Sequence, residues 1–297
     1  MYNRKHALYY HAMVLPGILM LILFSYIPMF GIIMAFEKYV PAKGFLGSKW
    51  VGLKNFQTLF RFADFKNAVG NTVIIALLKI VFGILVPVFF ALVLNECRAQ
   101  WIKRPIQTIV YLPHFLSWVI LAVIFQNLLS LNGLFNKLVS LLGGTPDIWL
   151  IRARHFRKIL IVTDVWQSFG YGAIIYLAAM TSISPDLYEA ASIDGAGHWK
   201  QMLHVTLPAI VPTIILMTAL AIGNIMSAGF DQVFNMYNEV VYESGDILDT
   251  LVYRMGFGAG GQFGLSTAAG LFKSVISCTL VIVSYRVAYK TSGYRVF

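Results

Sequence analysis

Residues 184–208 read SPDLYEAASIDGAGHWKQMLHVTLP, a mostly polar run between two strongly apolar ones. Ser184 has the side chain of a helix N-cap, Pro185 suits the first helical position, and Asp186 sits where the helix dipole favours negative charge. Ala190 and Ala191 form helix readily and add little bulk. Gly195 and Gly197 are stop signals. A second short helix is expected next, with Trp199, Met202 and Leu203 on one face. Leu207-Pro208 is expected to end it and hand over to the next apolar stretch. The segment therefore reads as helix, glycine turn, helix.

The flanking runs decide the class. The 297 residues are 58% hydrophobic and 12% charged, with mean hydropathy +0.72. Soluble domains carry about 25% charged residues, so this composition is that of an integral membrane protein. A helical span needs about 20 apolar residues, and six stretches qualify: 12–36, 68–94, 106–129, 159–180, 209–228 and 267–288. The expected fold is all-α, with six transmembrane helices in one membrane domain over 1–297. The basic start is followed by a long apolar run with no small-residue cleavage site, which reads as a retained span.

Six spans put both termini on one side. With the termini inside, nine Lys/Arg fall on inner segments and twelve on the longer outer loops. The positive-inside rule therefore gives the orientation little support. The net charge of +10 is scattered, with no nucleic-acid motif, and fits loop charges near headgroups. Phe45, Trp50 and Phe56 are expected to anchor the 37–67 loop at the interface. GGTPD marks a turn in the 130–158 loop.

Glu189-Ala190-Ala191, Gly195 four residues on, and, after nine intervening residues, Val205-Thr206-Leu207-Pro208 resemble the EAA loop of ABC importer permeases; Val205 stands where that pattern has Ile. SYIPMFGIIMAFEKY, WVGLKNF, YLPHFLSWVI, DVWQSFGYG, GNIMSAGFDQVFNMYN, GDILDTLVYRMG and GLFKSV extend the likeness over nearly the whole chain, which resembles the LplB-type polysaccharide permeases of the type I importers. The resemblance implies a multi-pass subunit of the bacterial cytoplasmic (inner) membrane, with coupling helices and both termini in the cytoplasm. It implies as partners a second homologous permease, two ATPase subunits carrying ATP and Mg, and an extracytoplasmic solute-binding protein. The substrates it implies are complex oligosaccharides, including acidic ones such as alginate or pectin fragments. Within the EAA loop it assigns ATPase coupling to Glu189, Ala190, Ala191, Asp194, Gly195, His198 and Trp199.

Other motifs fit less well. Gly256–Gly261 spells G-x-G-x-x-G but lies between spans and follows no strand, so it reads as a loop. Gln262 stands where a phosphate-binding loop needs Lys, so any ATP is hydrolysed by another chain. Cys97 and Cys278 have no metal spacing, and no cofactor is expected in this chain. His114, beside Pro113, reads as a polar residue lining a pathway or bonding a freed carbonyl, with a proton relay as the alternative. Lys79, inside a span, is expected to face protein, a cavity or the surface.

Sugars are held by aromatic stacking and by amide and carboxylate hydrogen bonds. Trp166, Gln167 and Tyr171 in the fourth span, and Asn224, Ser227, Asp231 and Gln232 in or just after the fifth, are the candidate path residues, with Tyr171 and Asn224 foremost. Helix-to-helix polar contacts explain any one of them equally well. Competing functions are an amino-acid or ion permease of the same architecture, a membrane-embedded glycosyltransferase using Glu239, Glu243 and Asp246, and a channel.

Overall fold

The computed structural model describes residues 4–97, 99–258 and 261–292. Arg98, Ala259 and Gly260 of the G-x-G-x-x-G stretch, and both chain ends lie outside the described residues. The described chain is nearly all helix. Five helical stretches are long and apolar enough to cross a membrane: Tyr9–Phe36, Ala63–Glu96, Ala153–Thr181, His198–Gly223 and Phe263–Val287. A sixth is made if the bent pair Gln100–Phe115 and Trp118–Leu128 counts as one span.

That pair corrects the expected continuous helix over 106–129. The two halves meet at 102°. Leu112–Phe115 tightens into a 3-10 turn with Pro113 at its start, and Leu116 is extended. Ser117 then caps a new helix, accepting from Ile120 N–H. A proline without an N–H, followed by a good N-cap, ends one helix and begins another.

Pro208 corrects a second expectation, because it does not end its helix. The chain runs on from His198 to Gly223 through a π-helical turn at Met202–Thr206, where Leu207 N–H bonds Met202 O. A proline ring collides with the carbonyl four residues back, and widening the preceding turn to an i→i−5 bond relieves this. The same device precedes Pro28, with a π turn at Ile22–Tyr26 and Ile27 N–H bonded to Ile22 O. The far end of the His198 helix also departs from the expected 209–228, stopping at Gly223. Asn224 and Ser227 therefore lie in the turn after the span rather than on it.

The fold clusters into two units. One comprises Met1–Phe62 and Val252–Phe272. Its Tyr9–Phe36 stretch exposes large apolar side chains along most of its length, Leu15, Phe24 and Phe30 among them, as a helix suited to lipid does. A two-stranded ribbon, with Glu37 opposite Trp50, follows it. Asn55 donates to Ala35 O and Glu37 O, both at 2.9 Å. Trp50 and Phe56 pack on Phe36, and Phe45 packs on Tyr39, so these aromatics order the ribbon itself.

The second unit comprises Ala63–Leu251 and Lys273–Phe297. Its centre is the pairing of the Ala63–Glu96 and Ala153–Thr181 helices. Ala91 and Ala173, both fully buried, let the backbones approach, and Val88, Leu92, Tyr176, Met180, Met202 and Ile210 fill the space around them. At Gly170 a Cβ would lie 2.4 Å from Val110 O, so only glycine admits the Gln100–Tyr111 helix there. At the other end of the pair, Asn71 donates to Glu243 O and Asp246 O, both at 3.0 Å. The 229–266 stretch, which separates the fifth and sixth expected spans, contains the helices Phe230–Met236 and Leu248–Phe257.

Candidate functional site

Two places in the second unit gather the candidate residues. The first is the 184–208 segment itself. Ser184 Oγ accepts from Asp186 N–H and starts the helix Pro185–Ile193. Gly195 takes φ +76°, a conformation that side chains with a Cβ resist, and Ala196 N–H closes the helix onto Ala191 O. Gln201 then ties the next helix back, donating to Ser192 Oγ at 2.8 Å and Ala196 O at 3.1 Å. Tyr188 OH and Thr206 Oγ1 meet at 2.9 Å. These bonds hold the hairpin as one rigid piece.

Its outer surface is apolar where water would be expected. Ile193 is 87% exposed, Trp199 68% and Leu187 53%. Glu189, Ala190, Asp194, Gly195 and His198 are exposed beside them, while Ala191 is half-buried. His198 Nδ1 stands 3.6 Å from Glu96 Oε2, at the end of the Ala63–Glu96 helix. With Val93, Trp199 and Met202 they line a cavity of about 280 Å³. Leu187 and Ile193 escaped the sequence reading, although an isoleucine beside a glycine turn that carries no other bulk was the available signal.

The second place is a cleft of about 340 Å³ among the spans, lined by Lys79, Asp164, Ser168, Tyr176, Asn224 and Ser227 with several small and apolar residues. Lys79 Nζ donates to Asp164 Oδ1 at 2.9 Å, to Ala228 O at 2.8 Å and to Gln232 Oε1. All three ammonium protons are therefore engaged. Gln232 is fully buried behind the lysine, and its amide nitrogen donates to Leu160 O and Thr163 Oγ1, both at 2.8 Å. Gly229 turns beside them with φ +92°, and a Cβ there would lie 2.8 Å from Nζ. The lysine thus pins the turn after the fifth span onto two other spans.

The structure does not bring all seven path candidates together. Asn224 and Ser227 line the cleft, and Gln232 supports it from behind. Tyr171 lies instead against the bend of the broken span, its ring stacked on His114 with centroids 4.0 Å apart and planes within 3°. Gln167 Nε2 is 3.5 Å from His114 O, and His114 Nδ1 is buried with no hydrogen-bond partner among the described residues. Trp166 meets Phe125 edge-on. Asp231 is exposed in the first turn of Phe230–Met236. Lys79 and Asp164 were not among the seven. Asp164 is the sole acidic residue in the six expected spans, and a lone carboxylate and a mid-span lysine are natural counter-ions. The cleft offers donors and acceptors suited to hydroxyl-rich solutes.

Comparison with known proteins identifies the family. Residues 83–288 match the family model described as binding-protein-dependent transport system inner membrane component. The chain is 42% identical to the polygalacturonan/rhamnogalacturonan transport system permease protein YteP of Bacillus subtilis, over 95% of this chain and 88% of that one. It is 40% identical to protein LplB of the same organism, over 94% and 88%. Among solved structures, it matches a chain of a bacterial alginate ABC transporter in complex with an alginate pentasaccharide-bound periplasmic protein. The TM-score is 0.90 and the identity 35%, over 98% of both chains.

Proposed function

The chain belongs to the binding-protein-dependent transport system inner membrane components, the permease subunits of ABC importers, and from that premise we propose that it imports acidic oligosaccharides such as pectin- or alginate-derived fragments. Support for the substrate comes from one relative named for polygalacturonan and rhamnogalacturonan and from the alginate transporter. The proposed assembly pairs this chain with a second permease, two ATPase subunits that hold ATP and Mg, and a solute-binding protein. The 184–208 hairpin then faces the cytoplasm, as do both termini.

One observation carries the mechanism. The helix that begins at His198, beside the exposed Trp199, runs unbroken to Gly223, where Asn224 and Ser227 enter the cleft. At 1.5 Å per residue its 26 residues span about 39 Å. A push on the hairpin therefore reaches the cleft through one rod. In the proposed cycle the ATPase dimer closes on ATP, carries the hairpin with it, and rocks the spans to face outward; hydrolysis reverses the motion. Glu189, Ala190, Ala191, Asp194, Gly195, His198 and Trp199, joined by Ile193 and Leu187, form the docking surface. Asn224 and Ser227 offer hydrogen bonds to sugar hydroxyls, and Tyr171 offers an aromatic face.

The test is purification of the chain from native membranes in mild detergent. The reading expects a second permease and an ATPase to copurify, with ATP hydrolysis stimulated by a binding protein loaded with oligogalacturonate. A lone chain, or turnover indifferent to loaded binding protein, refutes it.

A further inference from the structure

We propose that a polar cleft at the end of the spans remote from the hairpin receives the carboxylates of an acidic oligosaccharide as it leaves the binding protein, an inference that rests on the substrate reading above. The cleft holds about 530 Å³ and is lined by Lys66, Asn71, Arg154, Arg157, Glu243 and Ser244, with a second asparagine, an isoleucine and two small residues. Its place follows from the helices. Lys66 and Asn71 lie at the start of Ala63–Glu96, and Arg154 and Arg157 at the start of Ala153–Thr181. The hairpin follows the opposite end of the second helix, and Glu96 at the opposite end of the first stands beside His198. The cleft is therefore a membrane thickness from the hairpin, on the face a solute-binding protein would approach.

Its chemistry is that of a uronate site. Arg157 is held rigidly, donating through Nε to Ser244 O at 2.8 Å and through Nη2 to Asn71 Oδ1 at 2.6 Å. Asn71 is itself buried and fixed by its two bonds to backbone carbonyls. Among the described residues the remaining guanidinium protons have no partner, which leaves them to an anion. Lys66 and Arg154 are exposed in the lining and form no ion pair among the described residues. Three cations against the one carboxylate of Glu243 leave the lining positive. Glu243 supplies an acceptor for hydroxyls, which a uronate presents alongside its carboxylate. The volume lies within the roughly 300–1,000 Å³ of small-molecule sites, whereas one acidic side chain of a docked protein would leave most of it empty. Lys79, by contrast, has no proton to spare for a sugar carboxylate, so anion capture belongs at this outer cleft.

The experiment uses the complete importer in nanodiscs, without binding protein, and measures the Kd for trigalacturonate and for its methyl ester. The wild type is expected to bind the acid more tightly than the ester. The double variant Lys66→Gln/Arg154→Gln should weaken binding of the acid about fivefold and leave the ester unchanged, while Lys66→Arg/Arg154→Lys restores the acid. An acid Kd unchanged by the Gln variant overturns the cleft proposal. A loss confined to docking of the sugar-free binding protein also overturns it and assigns the cleft to protein contact. Uptake of trigalacturonate into proteoliposomes with the binding protein separates the two levels. Uptake by the wild type with no change in Kd sinks the cleft alone, whereas no wild-type uptake removes the acidic-sugar reading and the cleft with it.

Discussion

Replacing Lys79 by Met tests whether the lysine is the pin of the fifth-span turn. The substitution keeps the length of the side chain and removes its charge. It leaves Asp164 with no cation and strips the donor from Ala228 O and from Gln232 Oε1. Removing one partner of a buried ion pair costs about 3–5 kcal/mol. The Lys79 side chain is only 9% exposed, but that of Asp164 is 26% exposed to the cleft, so water recovers part of the loss. The expected destabilisation is therefore at the lower edge, about 2–3 kcal/mol. Adding Asp164→Asn removes the orphaned charge, and the double variant should regain about 1–2 kcal/mol. Chemical denaturation of the purified importer in detergent, followed by tryptophan fluorescence, measures both. If Lys79→Met unfolds at the wild-type midpoint, or if Asp164→Asn restores nothing in its background, the pinning argument is wrong.

Three further outcomes follow from the same geometry. Gly229→Ala should cost about 1–2 kcal/mol from its left-handed backbone alone, and more because its Cβ would press on Lys79 Nζ; an unchanged denaturation midpoint would refute this. Ile193→Asp and Gly195→Trp, each on the exposed face of the hairpin, should abolish uptake and lower ATPase association, measured by copurification, and normal uptake would remove the hairpin from the coupling role. Asn224→Ala should weaken sugar-stimulated ATP hydrolysis severalfold, about the 1–1.5 kcal/mol of one hydrogen bond, with assembly intact, and unchanged stimulation would take Asn224 out of the path.

The membrane class, the helical fold and the hairpin are legible in the order of the residues. Those are written in local chemistry: runs of apolar residues long enough to span, a Ser-Pro-Asp helix start, and Gly195 where the chain must take positive φ. Two span ends were legible to within about two residues, at Glu96 and Thr181. The prolines were less legible. Pro113 and Pro208 look alike in sequence, yet one accompanies a 102° break and the other sits in a helix that continues past it behind a π turn. What differs is the neighbourhood, since Ser117 offers a new N-cap while Met202 and Thr206 are held in the packed core.

Which polar residues share a site is a matter of how the helices pack. Tyr171 and Asn224 were equal candidates, but Tyr171 faces His114 while Asn224 faces the cleft. Lys79 and Asp164 are 85 residues apart, and Arg157 meets Asn71 across 86. Such pairs depend on how helices pack. Close contact at small residues such as Ala91, Ala173 and Gly170 sets the rotation of each helix about its axis, and that rotation is not written in the periodicity of helices that are apolar on every side.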